Sequence, residues 1–284
     1  MNRVLSAKKS VVSNYPPMPD SIQLDRYQCA RCGQCVLACP GQLFLRKNHS
    51  ECPVIIPNAA ELCIRCGHCV AGCPVGAISV GSLGVDACQT VPRESIPRFE
   101  HISTLVRMRR SIRRFDEKPL EIAKLESLLD VVRWAPSARN EQPLKWIVVR
   151  HREKMVELGS LIANAMRGKE HYTRQVEAWD DGNDMILRGA PTLAIAYTDS
   201  DAIFPEVDCT IAMETLDLCA AAMRLGSCWA GYFIRAAQEH PAINGWLGLK
   251  KTEKVQAALL LGYPGQEVYK RIPFRKELEI KWIQ

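Results

Sequence analysis

Beyond residue 102 the apolar positions switch repeatedly between helical and extended periods. In PLEIAKLESLLDVVRWA, Ile122, Leu125, Leu129 and Val132 recur at helical spacing, and Pro119 suits a first helical turn. LKWIVV then predicts a strand, REKMVELGSLIANAM a helix and APTLAIAYT a buried strand. VDCTIAMETLDLCAAAMRL is apolar nearly all round, which predicts a central, buried helix. VQAALLLGY predicts a last buried strand before a basic tail. Before residue 90 the pattern is different. Apolar runs there are short, and QLFL and AISV each predict a brief strand after a proline. Between the two regions, VPRESIPRFEH (91–101) carries two prolines and mixed charge and reads as a linker. The expectation is a small domain over 1–95 and a larger one over 102–284.

The chain has 284 residues, 47% hydrophobic and 24% charged, an ordinary globular composition for one or two domains. No uninterrupted apolar run approaches the roughly 20 residues of a membrane helix. The opening MNRVLSAKKSVVSNYPPMPD lacks an apolar core and a cleavage site, so neither signal peptide nor anchor is expected and the predicted location is the cytoplasm. The net charge is +6. Ten Lys and Arg stand against seven Asp and Glu up to residue 100, and 27 against 24 beyond it, so the surplus is spread. That spread, and the lack of interleaved aromatic residues, argues against nucleic-acid binding.

Thirteen cysteines change the picture. An odd number without a secretion signal does not suit a disulfide framework. Eight of them lie in CARCGQCVLACP (29–40) and CIRCGHCVAGCP (63–74), one string repeated 34 positions later. Each has the form C-x2-C-x2-C-x3-C-P. In bacterial two-cluster ferredoxins the first three thiolates wrap one cubane and the fourth ligates the other. Cys29, Cys32, Cys35 and Cys73 then hold one [4Fe–4S] cluster, and Cys63, Cys66, Cys69 and Cys39 the second. Zinc sites more often use two separated C-x2-C pairs. Cys52, between the strings, reads as a buried apolar thiol, and His68 as a solvated or cluster-edge side chain rather than a ligand. Residues 20–90 thus resemble a dicluster ferredoxin.

In the larger domain there is no G-x-G-x-x-G after a strand and no P-loop, so side chains must hold any phosphate. RMRRSIRRF (107–115) packs five arginines into nine residues, and YKRIPFRKEL adds Arg271, Arg275 and Lys276. Such a block often sits solvated on a surface, but guanidinium forks also suit a phosphate monoester. Cys209, Cys219 and Cys228 read as small core residues.

Five strings in order, RRSIRRFDEKPL, WAPSARNEQPLKWIVV, RGAPTLAIAY, GSCWAGYF and LLLGYPGQ with RIPFRK, resemble the nitroreductase family of FMN enzymes over about 103–277. The resemblance implies an α+β fold that forms homodimers with FMN at the subunit interface. It implies that Arg109, Arg110, Ser111 and Arg113 meet the FMN phosphate and ribityl chain, with Arg275 and Lys276 completing the charge cage. Pro136, Ser137, Ala138 and Asn140 would lie along the flavin from the partner subunit, and Ala230 and Gly231 would bring backbone groups to the ring edge. Many relatives carry a different sequence at 137–139, so the pocket floor is altered. Residues 165–188, with His171, Tyr172 and Trp179, occupy the place of a substrate lid.

Clusters move single electrons and flavin converts them to a two-electron reduction. The expected function is therefore an oxidoreductase passing electrons from a ferredoxin-type donor through two [4Fe–4S] clusters to FMN and on to a small organic acceptor, foremost a nitroaromatic. The alternatives are another acceptor (activated alkene, quinone, halogenated ring), NAD(P)H as the donor, and an electron-transfer module for a partner complex. The flavin carries the chemistry, and no side chain is singled out as an acid or base.

Overall fold

The computed structural model describes residues 21–265 and 269–284; residues 1–20, on which the targeting expectation rests, lie outside them. Among the described residues no helix is long and apolar enough to cross a membrane. The chain divides into two compact units, the first ending at Ile96 and the second beginning at Pro97.

The first unit is built on the repeat. Its elements are β1 (Ile22–Leu24), α1 (Gln34–Ala38), β2 (Phe44–Leu45), β3 (Val54–Ile55), α2 (Ala59–Leu62), α3 (His68–Ala71) and β4 (Ile78–Val80). β2 follows the first cysteine string and pairs antiparallel with β3, ahead of the second string. β4 follows the second string and pairs antiparallel with β1, ahead of the first. Each copy therefore lends a strand to the other. A small core of Leu43, Phe44, Ala59, Val70, Ile78 and Val80 closes around Cys35 and Cys69. The backbone obeys the same shift of 34: Arg31 and Arg65 have φ of 57° and 53°, Gly33 and Gly67 of 76° and 72°, and Gln42 and Gly76 of 52° and 67°.

The second unit is a four-stranded antiparallel sheet, order β5-β6-β8-β7, with helices on both faces. Its elements run α4 (Phe99–Met108), α5 (Ile122–Val132), β5 (Lys145–Arg150), α6 (Arg152–Met166), α7 (Thr173–Asp180), β6 (Thr192–Asp199), α8 (Pro205–Ala222), β7 (Gly226–Trp229), α9 (Gly231–Glu239), α10 (Pro241–Trp246) and β8 (Glu253–Gly262). Alternation on the central strands sorts the core. Leu193, Ile195, Ala258 and Leu260 face α6, α9 and α10. Ala194, Ala196, Ala257, Leu259 and Leu261 face α5 and α8. Strands buried on both faces read as continuous apolar runs, which is why β6 and β8 stand out in the sequence. Each fully buried Leu, Ile or Phe in these layers contributes about 1.5–3 kcal/mol.

Three expectations change. α5 starts at Ile122, with Pro119 outside it, and buries Leu125, Leu128 and Val132 while Ile122 is exposed. α8 is buried on one side only: Cys209, Ala212, Met213, Leu216 and Ala220 face the sheet, whereas Val207 and Ile211 are exposed. The linker ends inside α4, which begins at Phe99. Within the expected lid segment α7 is packed. Trp179 of α7 lies so close over Gly159 of α6 that a Cβ there would be 2.3 Å from its ring, and Gln175 donates to the Tyr232 hydroxyl at 2.9 Å.

Candidate functional site

In the first unit the eight cysteines of the two strings sort into two cavities. One is lined by Cys63, Cys66, Cys69 and Cys39, with Ile22, Leu43 and Phe44 among its walls. The other is lined by Cys29, Cys32, Cys35 and Cys73, with Leu24, Pro53 and Ile78. Each cavity thus combines three thiols of one string with the fourth of the other, the crossed sets read from the repeat. Among the described residues no three His, Cys, Asp or Glu side chains converge on one point as a single ion requires. Each set of four thiols lines a common space, as a cubane cluster requires.

Backbone donors are aimed at the sulfurs in the same duplicate fashion. The amides of Arg31 and Arg65 donate to the Sγ atoms of Cys29 and Cys63, both at 3.4 Å. Those of Leu43 and Ala77 donate to Cys39 at 3.4 Å and Cys73 at 3.2 Å. Burial pushes the thiols of Cys35 and Cys63 up, and that of Cys69 up to about 12, with neighbouring sulfurs adding to the effect. Such thiols keep their protons until a bound cation compensates the charge. The donor set therefore fits an iron–sulfur cluster. Cys52 departs from the expectation: it is half-buried rather than enclosed, against the Cys29 side chain and within reach of Arg26.

In the second unit the arginine-rich segment is stitched along the sheet edge. The Ile112 amide donates to the Ser227 carbonyl at 2.8 Å, Ser111 bridges Ser227, and the Asp116 amide donates to Tyr263 O at 2.9 Å. Two glycines make room, because a Cβ on Gly226 would meet Ile112 at 3.0 Å and one on Gly262 would meet Phe115 at 2.8 Å. Arg109 turns inward and pairs with Asp217 of α8 at 3.0 Å, and Asp217 also accepts the Ser227 hydroxyl. Arg110 donates to the Arg109 carbonyl, and Arg113, exposed, donates to the Ser111 carbonyl at 3.4 Å. β7 then leads through Ala230 to Gly231, the first residue of α9.

The PSARN turn is held from within the same chain. The Ala138 amide donates to Asp208 Oδ1 at 3.0 Å, and the Gln142 amide to Ser137 Oγ at 2.9 Å. Arg139, Asn140 and Gln142 all take positive φ, while Pro136 is exposed. Asp208 is almost wholly buried, and its Oδ2 has no partner. Arg275 and Lys276 lie on an exposed tail without helix or strand. The structure thus brings Arg109, Arg110, Ser111 and Arg113 to the sheet edge beside β7, fixed there through Ser111, Ile112 and the Arg109–Asp217 pair. Guanidinium groups and backbone amides on one segment are a donor set suited to a phosphate monoester. Asp208, Asp217 and Ser227 escape the sequence reading. The available signal was an acidic residue inside an otherwise apolar helix, which demands a partner when buried.

A cysteine-rich unit with crossed thiol cavities, joined to a helix-faced antiparallel sheet, defines a two-part redox protein. The chain belongs to the nitroreductase family, whose model matches residues 106–263, and a 4Fe-4S dicluster domain model matches residues 21–78. A provisionally named NADH dehydrogenase/NAD(P)H nitroreductase of Archaeoglobus fulgidus is 27% identical over 173 residues, 60% of this chain and 88% of its own length. A provisionally named NAD(P)H nitroreductase of Bacillus subtilis is 25% identical, over 64% of this chain and 95% of that one. The FMN-bound nitroreductase of Bacteroides fragilis shares the fold with a TM-score of 0.57 at 24% identity, covering 64% of this chain and 98% of that chain.

Proposed function

We propose that this protein is an FMN- and iron–sulfur-dependent oxidoreductase that takes single electrons from a ferredoxin-type donor and delivers them in pairs to a small organic acceptor, foremost a nitroaromatic. The observation that carries this reading is the crossing of the cysteines: two four-thiol cavities in the same chain as a nitroreductase unit. The flavin, when bound, supplies the conversion between one- and two-electron transfers. The protein's own groups bind and orient. Cys29, Cys32, Cys35 and Cys73 hold one cluster and Cys63, Cys66, Cys69 and Cys39 the other. Arg110, Arg113 and the Ser111 backbone grip the FMN phosphate. Arg109, tied to Asp217, fixes the path of that segment. Ala230 and Gly231 supply backbone groups to the ring edge, the Pro136–Asn140 turn lines the flavin, and Arg275 and Lys276 close the phosphate site from the tail.

The functional form is a homodimer. Val207 and Ile211 on the open side of α8 are exposed, as are Phe274, Leu278 and Trp282 on the tail, and a second copy would cover such surface. A second reading has NAD(P)H as the donor, favoured by the names of the relatives. Anaerobic preparations assayed for iron, sulfide and flavin test the cofactors. Turnover of a nitroarene with reduced ferredoxin against NAD(P)H separates the donors. Material without iron, or fast NAD(P)H turnover after cluster removal, overturns the relay.

A further inference from the structure

The two copies of the cysteine string are matched in backbone but not in surface charge. Flanking or within the first string and its following strand are Arg26, Arg31, Arg46 and Lys47 in sequence; a shift of 34 carries these to Ala60, Arg65, Val80 and Gly81. Tyr27, fully exposed, corresponds to Glu61. Cys32 is the exposed thiol of its cavity, while its counterpart Cys66 is half-buried.

The collar is built rather than scattered. The Arg46 guanidinium lies over Gly33, where a Cβ would be 2.4 Å from it; nothing lies within 4 Å of the same point on Gly67. Arg46 donates to the Arg31 carbonyl at 3.2 Å and meets the His49 ring at 2.9 Å, and Arg31 donates to the Ser50 carbonyl at 3.3 Å. None of these partners is an anion, so neither positive charge is cancelled by them. Two carboxylates lie in the same stretch, Asp25, which accepts from the amides of Tyr27 and Gln28, and Glu51, which accepts from Asn48; against four cations they leave a net positive charge. Cations needed only to offset a cluster's own charge would recur at both copies. Of the four only Arg31 does, as Arg65.

We propose that this face, with Tyr27 beside the cation collar and Cys32 at the surface, is the docking surface for an acidic electron-carrier protein. The inference rests on the redox reading above and names the port. A net positive patch steers an anionic partner and fixes its register, and a small exposed apolar centre suffices for the brief contacts of redox partners. Each encounter moves one electron: the carrier is oxidised by one, the first cluster is reduced by one, and no bond or proton is transferred.

The test uses the full-length holoprotein and flavodoxin, an acidic carrier, as the probe. Binding is read by fluorescence anisotropy of labelled flavodoxin, and contact by carbodiimide cross-linking mapped by mass spectrometry. Affinity is expected to fall about tenfold or more between roughly 20 and 300 mM salt, with cross-links at Lys47. Arg26→Glu/Lys47→Glu is expected to weaken binding about tenfold at low salt; Lys47→Glu alone, distant from the thiols in sequence, gives a smaller loss if the double variant fails to fold. Salt-insensitive binding, binding unchanged by Lys47→Glu, or tighter binding of duplex DNA than of flavodoxin overturns the docking surface. Iron analysis of the same samples separates the two ideas. Full iron with salt-insensitive binding sinks the surface alone, whereas Lys47-dependent binding by iron-free protein sinks the redox reading and leaves the surface standing.

Discussion

Arg109 and Asp217 are 108 positions apart in sequence and 3.0 Å apart in the fold. The pair is mostly shielded from solvent, and the second Asp217 oxygen takes the Ser227 hydroxyl. One carboxylate therefore fastens the arginine segment, α8 and β7 together. Asp217→Ala strips a counter-charge from Arg109 and an acceptor from Ser227, at an expected cost of about 2–4 kcal/mol in urea melts. Asp217→Asn retains one acceptor oxygen and is expected to cost less. Equal stability of all three proteins would deny the carboxylate this role.

Gly226 and Gly262 are register partners across β7 and β8. A Cβ on Gly262 would stand 2.7 Å from the Pro191 ring as well as against Phe115. Alanine is ordinarily harmless in a strand, but here it forces Phe115 and the arginines before it off the sheet edge. Gly262→Ala is expected to lose about 1–3 kcal/mol by overpacking. It should also lower the flavin retained per chain, measured by fluorescence after heat release. Retention equal to wild type would separate the segment's seat from cofactor binding.

The parts of this molecule legible in the sequence are those fixed by local rules. The cysteine spacing dictates which thiols share a cavity, and β6 and β8 announce themselves because both faces are buried. Other features depend on distant neighbours. β7 is four residues of small and mixed side chains, a strand only because β8 offers it hydrogen bonds. In α5 the helical period holds equally for Ile122 and Leu128, and packing against α8 selects Leu128. Asp208 and Asp217 have no partner within their own helix, and only the fold sets Ala138 and Arg109 beside them. The open side of α8 was hidden for the converse reason, since a helix apolar all round cannot say what covers each side.

The hydroxyl of Tyr263, 2.6 Å away, together with its own backbone amide and Lys124, holds the Glu121 carboxyl well below its ordinary value of 4.5, at about 2. A depressed folded value means that the ionised form is favoured by folding. The stabilisation is therefore complete above pH 4.5 and is lost as pH falls towards 2. Glu121→Gln should be less stable than wild type at neutral pH, and the gap should close through that acidic window. Because cluster loss in acid affects both proteins, the difference between their melting temperatures is the quantity to follow. A gap that widens on acidification would reverse the sign and discard the argument.

Cys39 belongs to the first string by sequence, yet it lines the cavity of Cys63, Cys66 and Cys69. Paired substitutions convert that geometry into an iron count. Cys39→Ala with Cys63→Ala removes two ligands of one cavity and none of the other, so about half the iron should remain. Cys29→Ala with Cys39→Ala takes both residues from one string but one ligand from each cavity, and should lose nearly all of it. Self-contained strings would give the opposite result, with the second pair sparing half the iron and the first pair sparing almost none. Electron paramagnetic resonance of the reduced proteins adds an independent reading, because the first pair should leave one signal without the broadening that two nearby clusters impose on each other. The first unit has a small apolar core, so the doubly depleted protein should also lose its ordered fold in this unit, as expected where metal binding supplies folding free energy.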